Sequence, residues 1–289
     1  MPETRRIGQS FCSPLNPEDG YIDLHLHTNH SDGQFSPKQL VEKAIQHQLR
    51  AIAVTDHDTV SGIQEARYWA QHDSLQFLEG VEMSTYTEED GELHILGYAI
   101  DPESSALREA LDYQKTVRRR RIQQMLVRLQ DVRITIPFKA VQRLAGPNVP
   151  IGRPHLARAL VQAGAATSVD KAFDRFLAKG RLAWVPKVGL THQQAIQAIL
   201  EAGGIPVYAH PGIEGKDELI PKLQQLGLRG LEVFHSKHSP EDVARYAAIV
   251  TQRNLLATGG SDCHGGGSKD KPLIGSVHVP YRLFTALLR

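Results

Sequence analysis

Two histidines two residues apart, His25 and His27, sit in the apolar stretch Tyr21-Ile22-Asp23-Leu24-His25-Leu26-His27-Thr28. Alternate side chains of an extended strand share a face, so both imidazoles can reach one metal ion. Asp32, in Ser31-Asp32-Gly33, follows on the loop leaving that strand and offers a carboxylate. Further along, Asp56-His57-Asp58, Glu82, His94, His210 and Asp262-Cys263-His264 recur at or just beyond the ends of apolar runs. A lone histidine at a strand end is usually a hydrogen-bonded rim residue. Six sites of this kind with three carboxylates point to metal ligation. Neutral imidazole with ionised carboxylate suits Zn²⁺, Mn²⁺ or Fe²⁺, and no thiolate cluster indicates a structural zinc.

The elements that must position these groups follow from periodicity. Strands are expected at Ile22–His27, Ala51–Thr55, Phe77–Met83, Glu92–Tyr98, Ile205–Ala209, Gly230–Phe234 and Leu255–Gly259, with helical patterns between them. Ser36-Pro37 marks a helix start. Strand–helix alternation implies a parallel sheet or barrel, in which strand ends distant in sequence share one rim. The expected fold class is α/β. Between residues 103 and 184 the alternation stops. Leu107, Leu111, Ile122, Met125, Leu126 and Leu129 keep a 3.6-residue period there, and shorter helices are expected at His155–Gln162 and Val169–Leu177. The organisation read is a loose arm at 1–19, a barrel part at 20–102, a small helical insert at 103–184 and a second barrel part at 185–289.

Composition narrows the class. The 289 residues are 41% apolar, enough for a full core, and the net charge of +1 provides no global field for membrane or long duplex nucleic acid. No apolar run reaches 18 residues and no secretory signal is visible, so a soluble, cytoplasmic protein is expected. Cys12 and Cys263 are too few for a disulfide framework. Cys263 reads as a buried thiol rather than a ligand. Gly265-Gly266-Gly267 lacks the Lys-Ser/Thr of a phosphate-cradling P-loop.

Asp23-Leu24-His25-Leu26-His27-Thr28, Ser31-Asp32-Gly33, Thr55-Asp56-His57-Asp58, Gly80-Val81-Glu82, His94-Ile95-Leu96-Gly97, Ala209-His210-Pro211-Gly212 and Gly260-Ser261-Asp262-Cys263-His264 resemble, in order, the motifs of the polymerase-and-histidinol-phosphatase (PHP) family. They cover about residues 20–101 and 185–289. The insert makes the chain most similar to the stand-alone subgroup of 3′,5′-nucleoside bisphosphate phosphatases and ribonuclease AM. The resemblance implies a distorted (β/α)7 barrel holding two to three divalent metal ions (Mn, Fe or Zn). Carried over motif by motif, His25, His27, Glu82 and Asp262 would hold the first ion. Asp32, His57 and His210 would hold the second, and Glu82 would bridge to a third with His94 and His264. It also implies an active phosphoesterase in which closely spaced ions acidify a bridging water and neutralise charge at phosphorus.

Asp262 and His264 thus double as catalytic candidates. His235 and His238, on the same expected rim, are candidates to protonate the leaving group. Asp56 and Asp58 are candidates to orient an imidazole. For substrate, Arg153 comes first and His155 next, because Gly152-Arg153-Pro154-His155 resembles a phosphate-binding segment of related enzymes and Arg binds phosphate bidentately. Arg118 and Arg121, in Arg118-Arg119-Arg120-Arg121, and Lys237 follow, with Lys179 and Arg181 weaker. Trp184 and Tyr98 are candidates to stack on a base. The expected partner is a small phosphorylated substrate, a nucleotide or short oligonucleotide, and the first choice is the 3′-phosphate of a 3′,5′-bisphosphonucleoside. Rival readings are a 5′→3′ exoribonuclease on short RNA, a sugar or histidinol phosphate phosphatase, a non-phosphate metal hydrolase and a non-catalytic accessory module.

Overall fold

The structure is a computed structural model that describes residues 20–146, 149–265 and 273–288. The expected N-terminal arm with Cys12, and Gly266 and Gly267, lie outside the described residues. Eight strands form one curled sheet: β1 (Tyr21–Leu26), β2 (Leu49–Val54), β3 (Gln76–Thr87), β4 (Gly91–Tyr98), β5 (Ile205–Tyr208), β6 (Gly230–His235), β7 (Leu256–Gly260) and β8 (Val279–Pro280). Their order is β7-β6-β5-β4-β3-β2-β1-β8. The sheet curls until its two ends meet at the loop after β7, where Asp262 N–H donates to His25 O at 2.9 Å and His27 N–H donates to Cys263 O at 3.1 Å. This closure leaves no space at Gly260, where a Cβ would stand 2.3 Å from His25 N.

The barrel departs from an all-parallel one. β4 runs antiparallel to both β3 and β5, and β8 runs antiparallel to β1. Only Glu88–Asp90 connect β3 to β4, and a link that short permits a hairpin but not a crossover. Two expectations change as a result. β3 continues past Met83 to Thr87, so Glu82 lies mid-strand. His94 lies mid-strand in β4 and not at its C-terminal end. The antiparallel direction of β4 still places His94 opposite Ser84, two residues from Glu82.

Outer helices α1 (Pro37–Gln46) and α2 (Ile63–His72) pack beside β2 and β3. Ser36 caps α1 by accepting from Gln39 N–H at 3.3 Å, while the Gln39 side chain accepts from Ser36 N–H at 3.0 Å. α3 (Ser105–Asp131) then leaves the barrel and leads into α4 (Phe138–Ala145), α5 (Arg153–Gln162) and α6 (Val169–Ala172). The chain returns through α7 (His192–Glu201), α8 (Pro211–Glu214), α9 (Ile220–Gln225), α10 (Pro240–Arg253) and α11 (Arg282–Leu287). α3 belongs to two cores. Leu107 and Leu111 pack with the barrel, whereas Ile122, Met125, Leu126 and Leu129 pack with α4, α5 and Phe176 in a separate cluster. One 27-residue helix therefore carries Arg118 and Arg121 across the junction. Among the described residues no helix is long and apolar enough to cross a membrane.

Candidate metal centre and substrate pocket

Glu82 is the hub of the site. Its two carboxylate oxygens lie 2.8–3.3 Å from nitrogens of His25, His27, His57, His94 and His210. One carboxylate cannot satisfy five imidazoles. His25 Nε2, His57 Nδ1, His94 Nδ1, Asp32 Oδ1 and Glu82 Oε2 are all buried and accept or donate no hydrogen bond to another protein group. Burying so many polar atoms without partners costs roughly 1–3 kcal/mol each, and coordination to a cation removes that cost. Potential ligand atoms of His25, His27, Glu82 and Asp262 lie within 4.8 Å of one another, as do those of His27, Asp32, His57 and His264, and those of His57, Glu82 and His94. The residues present therefore fit divalent metal ions.

Charge supports the fit. Burial alone would raise the Glu82 pKa, but the surrounding His57, His94 and His25 hold it well below the carboxylate range. Asp262 and Asp32 are depressed in the same way against their burial, Asp262 by His25 first and Asp32 by His264 first. All three are ionised at neutral pH. The backbone is strained where the ligands leave the barrel: His210 has φ 31° and Asp262 φ 56°, left-handed values that cost non-glycine residues energy and cluster at functional sites.

The grouping of ligands differs from that carried over by resemblance. His264, not His210, stands with Asp32 and His57: its Nε2 is 3.3 Å from Asp32 Oδ1. His210 stands instead with Glu82, at 3.1 Å, and with the ring of His94 at 5.3 Å. The physical reason is closure, because the loop after β7 folds over β1 and brings His264 against His27 at 4.1 Å between ring centroids.

A residue absent from the sequence reading orients two of these groups. Glu232, fully buried in β6, accepts from His25 Nδ1–H at 2.9 Å and from His210 N–H at 2.7 Å. A donated proton at Nδ1 leaves Nε2 of His25 free to ligate. The alternation of Gly230-Leu231-Glu232-Val233 puts Glu232 on the inner face with Gly230, the one signal that could have revealed it. Glu92 and Lys187 were likewise missed. Lys187 Nζ lies against Glu92 Oε1 and 3.4 Å from His94 Nε2.

Several expected roles are corrected. His238 has both ring nitrogens committed: Nδ1–H donates to Val233 O at 2.9 Å and Nε2 accepts from Gly212 N–H at 3.1 Å. It is a neutral brace for the segment after His210, not a proton donor to substrate. The His235 side chain has no exposed surface; its Nδ1 accepts from Lys237 N–H at 3.2 Å and its Nε2 faces Asp262 Oδ2 at 3.5 Å. It buttresses Asp262. His155 is buried, accepts from Gly152 N–H at 3.0 Å and donates to Ser31 O at 3.1 Å. Burial first, and Arg158 second, push its pKa down to about 4, so it ties the insert to the Asp32 loop and does not bind phosphate.

Asp56 orients no imidazole. It accepts from Thr28 N–H at 2.7 Å, Ser31 Oγ–H at 2.6 Å and Thr28 Oγ–H at 2.6 Å, fixing the loop that presents Asp32. Asp58 is fully buried rather than solvated and accepts from Arg118 Nε–H at 2.6 Å. Lys237, Lys179 and Arg181 are exposed and line no part of the pocket, while Tyr98 is sealed in the barrel, its hydroxyl donating to Leu24 O at 3.0 Å. Trp184 also lies outside the pocket lining. His192 begins α7 and is buried, with Thr85 Oγ1 2.7 Å from its Nδ1.

A pocket opens between this cluster and the insert. Asp32, His57 and His94 form one wall, and Arg118, Arg121, Arg153 and Lys187 face them. Arg118 is held by Asp58 and donates to Ser84 Oγ at 2.9 Å. Arg121 donates through Nε to Val185 O at 3.1 Å. Among the described residues neither Arg121 nor Arg153 has an ion pair. Burial first, and the neighbouring Arg153 second, bring the Arg121 pKa down to about 10.

A curled α/β barrel whose strand ends converge on one shared glutamate, with a cationic wall opposite, defines a metal-dependent hydrolase acting on an anionic ester. Residues 23–133 match the PHP domain. The chain is 36% identical over 249 residues to the 5′-3′ exoribonuclease Rnm of Escherichia coli K12, covering 84% of each protein. It is 33% identical over 256 residues to the 3′,5′-nucleoside bisphosphate phosphatase of Chromobacterium violaceum, covering 86% of this chain and 90% of that one. A solved structure from Bifidobacterium adolescentis, assigned as a metal-dependent phosphoesterase, superposes with a TM-score of 0.84 at 32% identity, covering 92% of this chain and 95% of that one. The chain belongs to the PHP family. It is a metal-dependent phosphoesterase, a phosphoric ester hydrolase.

Proposed function

We propose that the protein removes the 3′-phosphate from 3′,5′-bisphosphonucleosides. The observation that carries this reading is a pair of guanidiniums without an ion pair among the described residues, Arg121 and Arg153, in the pocket that the metal-ligand cluster also lines. Lys187 is neutralised by Glu92 and Arg118 by Asp58. Arg121 and Arg153 remain in surplus, enough for a second dianionic phosphate that is bound but not cleaved. Bidentate Arg–phosphate pairing gives that group both affinity and orientation.

Two to three divalent ions would be held by His25, His27, Glu82 and Asp262; by Asp32, His57 and His264; and by Glu82, His94 and His210. When bound they supply Lewis acidity at a phosphoryl oxygen and acidify water. Glu232 fixes the ligating face of His25. Asp56 fixes the Asp32 loop, and Asp58 aims Arg118 at the pocket, where its charge supports a phosphate oxygen. The leaving 3′-oxygen takes its proton from neither His235 nor His238, because neither lines the pocket.

Similarity to the Escherichia coli enzyme favours a second reading, stepwise 5′→3′ removal of nucleotides from short RNA. Arg143 and Arg158 support it, lining a second pocket on the other side of the Asp32 loop beside Ser31 and Gly33. Phosphate or nucleotide release in Mn²⁺ from 3′,5′-bisphosphonucleosides, mononucleotides, histidinol phosphate and short RNAs separates these readings. The bisphosphonucleoside is expected to have the highest kcat/KM. Arg153→Ala is expected to raise its KM about 10- to 100-fold, the size of a lost charge-assisted pair, with little change for a 3′-mononucleotide. Preference for a mononucleotide or for RNA would overturn the first reading.

A further inference from the structure

The cationic wall of the pocket continues into an apolar one that phosphate recognition does not need. Val117, Ile122, Ile151, Phe173 and Val188 line the same pocket as Asp32, His57 and His94. Among the described residues Phe173 is the one phenyl or indole ring in that lining. We propose that this wall is the seat of a nucleobase, stacked on Phe173, and that it makes the enzyme select nucleotides over phosphorylated sugars and alcohols. The inference rests on the phosphate assignment above, because the seat shares Arg153 with it.

Four observations carry the proposal. Phe173 is half-buried: it packs on the insert core and also reaches the pocket. It opens a π-helical turn, Phe173–Leu177, in which Ala178 N–H donates to Phe173 O at 2.9 Å. Such wide turns are rare and recur at functional sites. The Arg153 guanidinium lies 5.8 Å from the Phe173 ring centroid, so a ligand whose phosphate meets Arg153 has its planar part within reach of the ring. Val188 follows Lys187 on the pocket rim and is 59% exposed, which leaves apolar surface that a base would cover. Val117, Ile122, Ile151 and Val188 offer this wall side chains without hydrogen-bonding groups. Stacking without edge readout tolerates every base and favours the larger purines.

The test compares kcat/KM on 3′,5′-bisphosphoadenosine with that on the same ribose bisphosphate carrying a methoxy group in place of the base. The wild type is expected to prefer the base-bearing substrate by roughly 10- to 100-fold, the size of one stacked base. Phe173→Ala is expected to bring that ratio close to one, and Phe173→Tyr to keep it. A wild type without the preference overturns the proposal, as does a Phe173→Ala variant that slows both substrates equally. If the wild type hydrolyses neither bisphosphate, the preceding assignment fails and the seat is decided by binding alone. Quenching of Phe173→Trp fluorescence by adenosine 5′-phosphate but not ribose 5-phosphate then supports it, and equal or absent quenching overturns it.

Discussion

The two faces of the pocket are built on opposite principles. The barrel face gathers imidazoles and carboxylates from β1, β3, β4 and the ends of β2, β5 and β7, and leaves ligand atoms of His25, His57, His94, Asp32 and Glu82 without hydrogen-bond partners. The insert face gathers cations from α3, α5 and the returning chain. Two of these are already neutralised, by Asp58 and Glu92. One face awaits a cation and the other an anion. On the proposed reading the chemistry lies on the barrel and selection on helices with a core of their own.

The sharpest way to break this division is at the hub. Glu82→Gln removes the charge on which five imidazoles converge. It is expected to lower phosphate release about 10³-fold or more and to empty the site of metal, read by elemental analysis beside an unchanged circular dichroism spectrum. Retained activity would mean that the barrel face is not the reacting one. The next test acts one bond further out. Glu232→Gln is expected to weaken metal binding about 10- to 100-fold in a titration with Mn²⁺, while KM for substrate changes little. A loss confined to KM would move Glu232 to the selective side.

The smallest expected effect sits where the two faces are tied together. His155 has its pKa depressed from 6.5 to about 4 by burial, so the folded state holds it neutral. Below pH 6.5 the unfolded chain binds a proton that the folded chain does not. Stability contributed by the neutral ring is therefore full above about 6.5 and lost as pH falls toward 4, on the order of 1 kcal/mol per unit. His155→Gln can accept from Gly152 and donate to Ser31 without titrating. It should flatten that slope in urea unfolding between pH 7 and 4.5, and an unchanged slope would show that the tie carries no proton linkage.

Much of the barrel face was legible in the chain itself. His25 and His27 share a strand face by simple alternation, and Asp56-His57-Asp58 and Ser261-Asp262-Cys263-His264 end apolar runs, so local pattern places each near a rim. Glu232 was not legible, because a single acidic residue in an apolar strand looks the same whether it meets His25 or an opposite strand. His238 and His155 looked available for chemistry, since sequence shows a ring but not the carbonyl and amide that occupy both of its nitrogens. The antiparallel turn of β4 became plain only when β3 proved to run on from Met83 to Thr87, which leaves a three-residue link too short for a crossover.

The sequence by itself determined the alternation of strands and helices, the motifs in their order and a ligand set rich in imidazole and carboxylate, because these depend on residue type and on spacing within a few residues. Only the tertiary structure decided that His264 stands with Asp32 and His57 while His210 stands with Glu82 and His94, and that Arg121 and Arg153 have no ion pair among the described residues. Those facts depend on how the loop after β7 closes over β1 and how α3 crosses between two cores. They are contacts between residues as much as 232 positions apart, from Asp32 to His264, and no local pattern encodes them.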